Sequence, residues 1–297
     1  MKRRDLLKVF GVAAGTAAVV RTAKAQEPGA APAGARATGD PVGVLVDTTK
    51  CIGCRMCEFA CAEANGLPTP DANIEPSPER DTSTTQWTVV KGYQIGGNRI
   101  TVKRQCLHCL QPACASACLT KAMRKTPDGP VTWDGAKCMG CRFCMVSCPF
   151  DVPRFEYHSA NPRIMKCQLC ATRVAAGRQP ACVENCPAQA LTFGRRENLL
   201  EEARHRIYTE PGRYVHQIYG EHEAGGTSWL YLSAVPFEQI GFRTDIATTG
   251  YPGFAKEFLY AVPQVDILAP LFLLGLARAS AREEKVKEED MDEGGAK

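Results

Sequence analysis

Nothing in this sequence spells a catalytic site. Its five histidines, His108, His158, His205, His216 and His222, stand at no metal-ligand spacing such as H-E-x-x-H. G-x-S-x-G, a phosphate-binding loop and a dinucleotide fingerprint are all missing, which excludes the hydrolase, nucleotide and nicotinamide chemistries that use them. No C-x-x-C is followed by histidine, so covalent c-type haem attachment is excluded as well. A basic surplus is lacking too. The net charge of +4 is concentrated in residues 1–25, where Lys2, Arg3, Arg4, Lys8, Arg21 and Lys24 face Asp5 alone. The remainder is close to neutral, and nucleic acid is not expected as a partner. Aromatic residues make up only 7%, and Tyr214, Tyr219 and Trp229 read as packing rather than as a cofactor box.

What the chain does have is cysteine, 16 of them, in four quartets with none left over. The stretch Lys137–Pro149 sets the pattern. Cys138, Cys141, Cys144 and Cys148 stand at C-x2-C-x2-C-x3-C with proline behind, the bacterial ferredoxin run, in which three thiolates grip one [4Fe–4S] cubane and the fourth reaches another. Cys51, Cys54, Cys57 and Cys61 repeat that spacing, with Ala62 in place of the proline. Cys106, Cys109, Cys114 and Cys118 are spaced x2, x4, x3; Cys167, Cys170, Cys182 and Cys186 are spaced x2, x11, x3 and end on Pro187. Sixteen thiolates suit four cubanes. A disulfide framework fits poorly, because cysteines three apart on a loop seldom reach bridge geometry. Zinc needs four ligands in one tetrahedron, not triplets with a distant fourth.

Along the chain, a basic start, an apolar run from Val9 to Val20 and A-K-A at Ala23–Ala25 make an export signal over residues 1–25. Arg3 and Arg4 resemble the twin-arginine motif, a route that carries proteins already folded. Residues 26–42, rich in Ala, Gly and Pro, read as a flexible linker. Val42–Val46 then forms a strand that ends at Asp47 ahead of the first quartet. Val131–Trp133 and Asp134 repeat that phrase ahead of the third, which argues for an internal duplication. Hairpins are expected across Gly96-Gly97-Asn98 and Pro127-Asp128-Gly129, with a further strand at Ala190–Phe193 and another at Trp229–Leu232. Glu197–Ile207 has helical spacing of Leu199, Leu200, Ala203 and Ile207.

Phe258–Ala277 is twenty mostly apolar residues followed by Arg278, Arg282, Lys285 and Lys287, long enough to span a bilayer with the basic flank on the cytoplasmic side. Asp266, Gln264, Pro263 and Pro270 interrupt it, and the alternative is a surface or buried helix. The charged stretch after Glu283 reads as a disordered tail.

The quartet spacings, with x4 in the second and x11 in the fourth, resemble the four-cluster electron-transfer subunits of membrane-bound bacterial respiratory enzymes. These include the β subunits of formate dehydrogenase, nitrate reductase and dimethyl sulfoxide reductase, and the iron–sulfur subunit of the hydrogenase 2 type. G-G-T at Gly225–Thr227 and V-P-F-E at Val235–Glu238, ahead of an apolar C-terminus, look most like the last of these. The resemblance implies a crossed ligation. Cys51, Cys54, Cys57 and Cys186 would hold one cube (set I), and Cys61, Cys167, Cys170 and Cys182 its neighbour (set II). Cys106, Cys109, Cys114 and Cys148 would hold a third (set III), with Cys118, Cys138, Cys141 and Cys144 holding the fourth (set IV).

The expected protein is therefore α+β, with duplicated ferredoxin-like domains and a C-terminal anchor helix. Residues 43–194 carry the clusters, 195–253 dock on partner subunits, 254–282 anchor in the membrane and 283–297 form the tail. The expected role is a non-catalytic wire on the periplasmic side of the cytoplasmic membrane. It would link a catalytic subunit, a [NiFe] hydrogenase or else a molybdopterin enzyme, to an integral membrane quinone-reactive subunit. A stand-alone iron–sulfur oxidoreductase is disfavoured, since no substrate or cofactor motif accompanies the cysteines.

Overall fold

The computed structural model describes residues 39–294, with side chains for all of these but 254–260 and 282–294. The expected signal peptide and most of the linker lie outside the described residues.

Helices and strands are mixed, and nearly all are short. In order they are β1 (Val42–Asp47), α1 (Met56–Asn65), β2 (Val89–Ile95), β3 (Asn98–Arg104), α2 (Ala113–Ser116), β4 (Met123–Lys125), β5 (Val131–Trp133) and α3 (Phe143–Val146). There follow β6 (Arg154–Phe155), β7 (Ile164–Met165), α4 (Ala171–Ala175), α5 (Ala181–Glu184), β8 (Leu191–Arg195), α6 (Arg196–Thr209), β9 (Trp229–Leu232) and α7 (Tyr251–Gly294). Both expected hairpins form. Gly96 and Gly97, with φ of 57° and 81°, make the turn that pairs Ile95 with Asn98 in β2–β3. Met123 pairs with Trp133 in β4–β5.

One sheet organises the rest. β1 lies in its middle, antiparallel to β8 and parallel to β9, so the first and last strands among the described residues are neighbours. Strand alternation sends Val44 and Val46 to one face and Leu45 to the other. On the Leu45 face, Leu199, Leu200 and Ala203 of α6 pack with Leu230, Leu232 and Tyr214. On the opposite face, Val44 and Val46 pack with Leu169, Cys182 and Val183 and with the aromatic group Tyr219, Tyr231, Phe237 and Phe242. Every cysteine in the sheet's two core clusters is on that second face.

α7 is a single 44-residue helix with Pro263 and Pro270 inside it. Among the described residues its segment Ala261–Ala281 is long and apolar enough to cross a membrane, by length and composition, with mean hydropathy 1.4 and none of it buried. Among the described residues α7 continues through the run after Glu283 as far as Gly294. Glu, Lys and Met in that run are good helix formers.

Candidate metal centre

Local backbone geometry repeats from quartet to quartet. Each begins C-x-x-C, and in all four the residue before the second cysteine has positive φ: Gly53 at 71°, His108 at 51°, Gly140 at 73° and Leu169 at 51°. A left-handed residue there turns the chain so that both thiols face one centre. For His108 and Leu169 it costs about 1–2 kcal/mol, so something must hold it. The turn also aims backbone donors at sulfur, as where Leu169 N–H meets Cys167 Sγ at 3.4 Å.

Each quartet ends C-x3-C on a helical turn. Residues four apart share a helix face but are displaced about 6 Å along the axis, so the third and fourth thiols meet different neighbours. Three of the fourth cysteines are followed by the same turn, whose third residue donates back: Lys121 N to Cys118 O at 3.1 Å, Asp151 N to Cys148 O at 3.2 Å and Gln189 N to Cys186 O at 3.1 Å. Cys118 makes this turn although Leu119 replaces proline. Cys61 does not, because α1 runs on to Asn65 and closes on Gly66.

Helix pairing then brings distant quartets together. α1 packs on α5 and α2 on α3. The Cys51 thiol is acted on by those of Cys186 and Cys54, and the Cys61 thiol by those of Cys167, Cys182 and Cys170. Cys109 is surrounded by Cys148, Cys106 and Cys114, and Cys144 by Cys118, Cys138 and Cys141. The Cys61, Cys109 and Cys144 neighbourhoods each gather the thiols of one expected set, and the Cys51 neighbourhood gathers three of set I. Contacts between sets run in a row. Cys57 of set I is beside Cys182 of set II, Cys167 of set II beside Cys106 of set III, and Cys114 of set III beside Cys144 of set IV.

All 16 thiols are free. Burial pushes Cys144 and Cys148 up to about 11 and Cys167 up to about 12, with neighbouring thiols adding to the rise. Such groups become thiolates only when a cation compensates them. Yet among the described residues no three His, Cys, Asp or Glu side chains close on a single-ion site. A cubane, which spreads four irons between four thiolates, suits this donor set, and a tetrahedral zinc does not. Donors are available as well: Met123 N–H points to Cys118 Sγ at 3.3 Å. The buried indole N–H of Trp87, packed with Cys61, Cys106 and Cys167, has no partner among the described residues.

Of the cations flanking the ligands in sequence, Lys121, Lys137 and Arg142 are exposed. Arg55 is buried and committed to Glu58, and Arg104 lies 4.0 Å over the Phe242 ring. Lys166 alone is both buried and free of carboxylates, its Nζ donating to the carbonyls of Val131 and Cys167. His108 is fully buried, not solvent-facing; its Nδ1 accepts from Val131 N–H (2.8 Å), and its Nε2 has no hydrogen-bond partner among the described residues. Burial and the nearby lysines hold its pKa well below the usual histidine range. Sequence reasoning missed Lys103 and Lys125. Both sit on strands where a lysine reads as solvent-facing, and the only available signal was their place next to cysteine-bearing loops.

Residues 98–196 match the family described as a 4Fe-4S dicluster domain. A protein of Nitratidesulfovibrio vulgaris (strain Hildenborough) is 47% identical over 99% of this chain and 80% of its own length. The hydrogenase-2 operon protein HybA of Escherichia coli O157:H7 is 35% identical, over 70% of this chain and 75% of its own length. This chain belongs to the ferredoxin-like iron–sulfur electron-transfer subunits. Another relative in that family, the formate dehydrogenase-O iron-sulfur subunit of Escherichia coli K12, is 34% identical over 67% of this chain and 68% of its own length.

Proposed function

We propose that this subunit is a four-cluster wire, with sets I to IV as its ligands, that carries electrons between a catalytic subunit and a membrane partner. One observation carries the reading. The two exposed thiols, Cys54 and Cys141, belong to sets I and IV at opposite ends of the row, while the thiols of sets II and III are buried or half-buried. A conductor needs that pattern: open at the ends, insulated between them. When bound, the clusters supply one-electron redox centres. The chain's own part is to hold them in order and keep water from the middle of the row.

The ends differ in their surroundings. Exposed Ile52 and Met56 border the Cys54 end, and exposed Met139, Phe143, Val146 and Leu119 border the Cys141 end. α7 contacts α2, the helix that carries Cys114 and leads into Cys118. With α7 in the membrane, set IV faces the quinone-reactive subunit and set I the catalytic one. The repeated loop geometry of the first and third quartets supports duplicated ferredoxin-like units over 43–194, with 195–253 docking on partners and 254–282 as anchor. Export by the twin-arginine route would place the assembly on the periplasmic side.

Likeness to the hydrogenase-2 operon protein and the G-G-T and V-P-F-E motifs favour a [NiFe] uptake hydrogenase as the catalytic partner. A molybdopterin enzyme is the second reading, since the formate dehydrogenase subunit is nearly as similar. Purification of the intact complex from membranes and analysis of its metals separates them: nickel for the first, molybdenum or tungsten for the second. In that complex, Cys182→Ala or Cys106→Ala should stop electron passage from the catalytic subunit to a quinone while the set I centre still becomes reduced. Undiminished passage in both variants would overturn the wire.

A further inference from the structure

Lys103 of β3 is 2% exposed, yet among the described residues it has no carboxylate partner. Its Nζ donates to Gln105 Oε1 at 2.9 Å and lies 4.4 Å over the Trp229 ring. Gln105 Nε2 donates to Tyr231 Oη at 2.6 Å, and Tyr231 Oη donates back to the Lys103 carbonyl at 3.1 Å. This closed ring of bonds fixes the side chain, and the ammonium itself meets two neutral groups, the Gln105 amide oxygen and the Trp229 ring. Thiols are its other neighbours. Lys103 lines a cavity together with Cys51, Cys54, Cys57 and Cys186, all four members of set I. Its charge also acts on Cys61, Cys182 and Cys167 of set II.

A buried, uncompensated ammonium is strongly disfavoured, so its counter-charge must come from the centres these thiols hold. We propose that Lys103 is a tuning residue shared by sets I and II. It is a fixed positive charge that favours the reduced, more negative state of both clusters and so keeps the first two steps of the wire at matched potentials. Lys125 does the corresponding work for set III alone. Its Nζ donates to the carbonyls of Cys109 (2.9 Å) and Gly129 (2.7 Å), and the thiols its charge meets are Cys109, Cys106 and Cys114. No buried lysine is among the groups acting on Cys144, the buried thiol of set IV.

The inference rests on the four-cluster reading, and the test keeps the two apart. Anaerobically purified full-length subunit is titrated electrochemically, with each centre's reduced fraction followed by electron paramagnetic resonance and its iron measured. Variants of Cys186 and Cys170 identify the set I and set II signals. Lys103→Met, which retains the stem and removes the charge, should lower the reduced:oxidised ratio of those two centres at least tenfold at a fixed applied potential. That corresponds to about 59 mV for a one-electron couple. The other two should stay within twofold of wild type. Lys103→Arg should restore most of the change, which a purely structural role would not predict, and Lys125→Met should move one different centre. Full iron with all four ratios unchanged in Lys103→Met overturns the inference, as does an equal shift in all four or no rescue by arginine. If Lys103→Met fails to load fully, loss confined to the iron of sets I and II supports the counter-charge, and loss from all four sets overturns it. A wild-type protein without iron would instead sink the four-cluster reading itself.

Discussion

Arg55 and Arg142 hold the same left-handed backbone, φ 62° and ψ 6° against φ 63° and ψ 7°, each between the second and third cysteine of its quartet. Each caps the helix that bears the third cysteine. Asp47 and Asp134, four residues before the first cysteine, also match, each accepting from the backbone N–H two residues on at 3.1 Å. The loops are alike because each must wrap the same shape of object. Their surroundings are not. Arg55 is buried against Glu58, whereas Arg142 is exposed over the rings of Phe155 (5.5 Å) and Tyr157 (5.7 Å).

The crossed ligation can be read by pairing variants. Cys186→Ala combined with Cys57→Ala should disturb one centre, since both thiols belong to set I. Cys186→Ala combined with Cys182→Ala, two residues of one quartet, should disturb two. Iron analysis and paramagnetic resonance of the loaded protein give the count. One disturbed centre in the second pair would show that ligation follows the quartets and not the sets.

Glu58 is a buried carboxylate between Arg80 (2.6 and 2.8 Å), Arg55 (2.9 Å) and the Val90 N–H (2.6 Å). Burial alone would raise its pKa, but the bonds from Arg80 and Arg55 win and hold it below the usual carboxylate range. Its stabilisation is therefore fully present above the unfolded value of about 4.3 and is lost as pH falls through the folded value. Glu58→Gln should cost about 3–5 kcal/mol at neutral pH by leaving two buried guanidinium groups uncompensated. The gap should narrow below about pH 4. The denaturant midpoint for loss of visible absorbance, compared across pH, checks both. A gap that stays constant into acid would remove the ion pair as its source.

Gly53 and Gly140 occupy equivalent places but have different room. A Cβ on Gly53 would stand 2.9 Å from Thr101 Cγ2, whereas on Gly140 the nearest atom is a Phe155 ring carbon at 4.0 Å. Both substitutions to alanine incur the left-handed penalty of about 1–2 kcal/mol. Gly53→Ala should be the worse of the two in cluster occupancy and in resistance to denaturant. Equal effects would mean that backbone strain alone matters.

Removal of residues 258–297 should release a four-cluster protein that stays in the aqueous phase and no longer couples to quinone. Asp266 falls near the middle of Phe258–Ala277, and a charge at the centre of a span costs about 2.5–3.5 kcal/mol on insertion scales. Asp266→Leu should thus strengthen membrane retention of the isolated subunit and weaken its hold on the partner. Carbonate extraction decides. An intact chain that washes off as easily as the truncated one has a docking helix, not an anchor.

Conversion of Arg3 and Arg4 together to lysine should leave cluster-loaded protein in the cytoplasm, because the twin-arginine route reads that pair. Fractionation followed by iron analysis measures it. Loaded protein reaching the periplasm unchanged would refute that route.

Much of the centre was legible because its information is local. C-x2-C and C-x3-C are loop and helix spacings, so the quartets, both hairpins, β1 and α6 could be read directly. Even the Leu119 departure left the turn after Cys118 intact. Spacing could show triplets and a straying fourth thiol, but not where the fourth goes. That depends on α1 packing on α5 and α2 on α3, contacts between segments far apart in sequence. The same limit hid Lys103 and Lys125. A lysine on a short strand reads as solvated, because burying its charge is unfavourable unless an anion waits inside. Only the tertiary structure puts thiols from two quartets around one ammonium and makes the buried position the stable one.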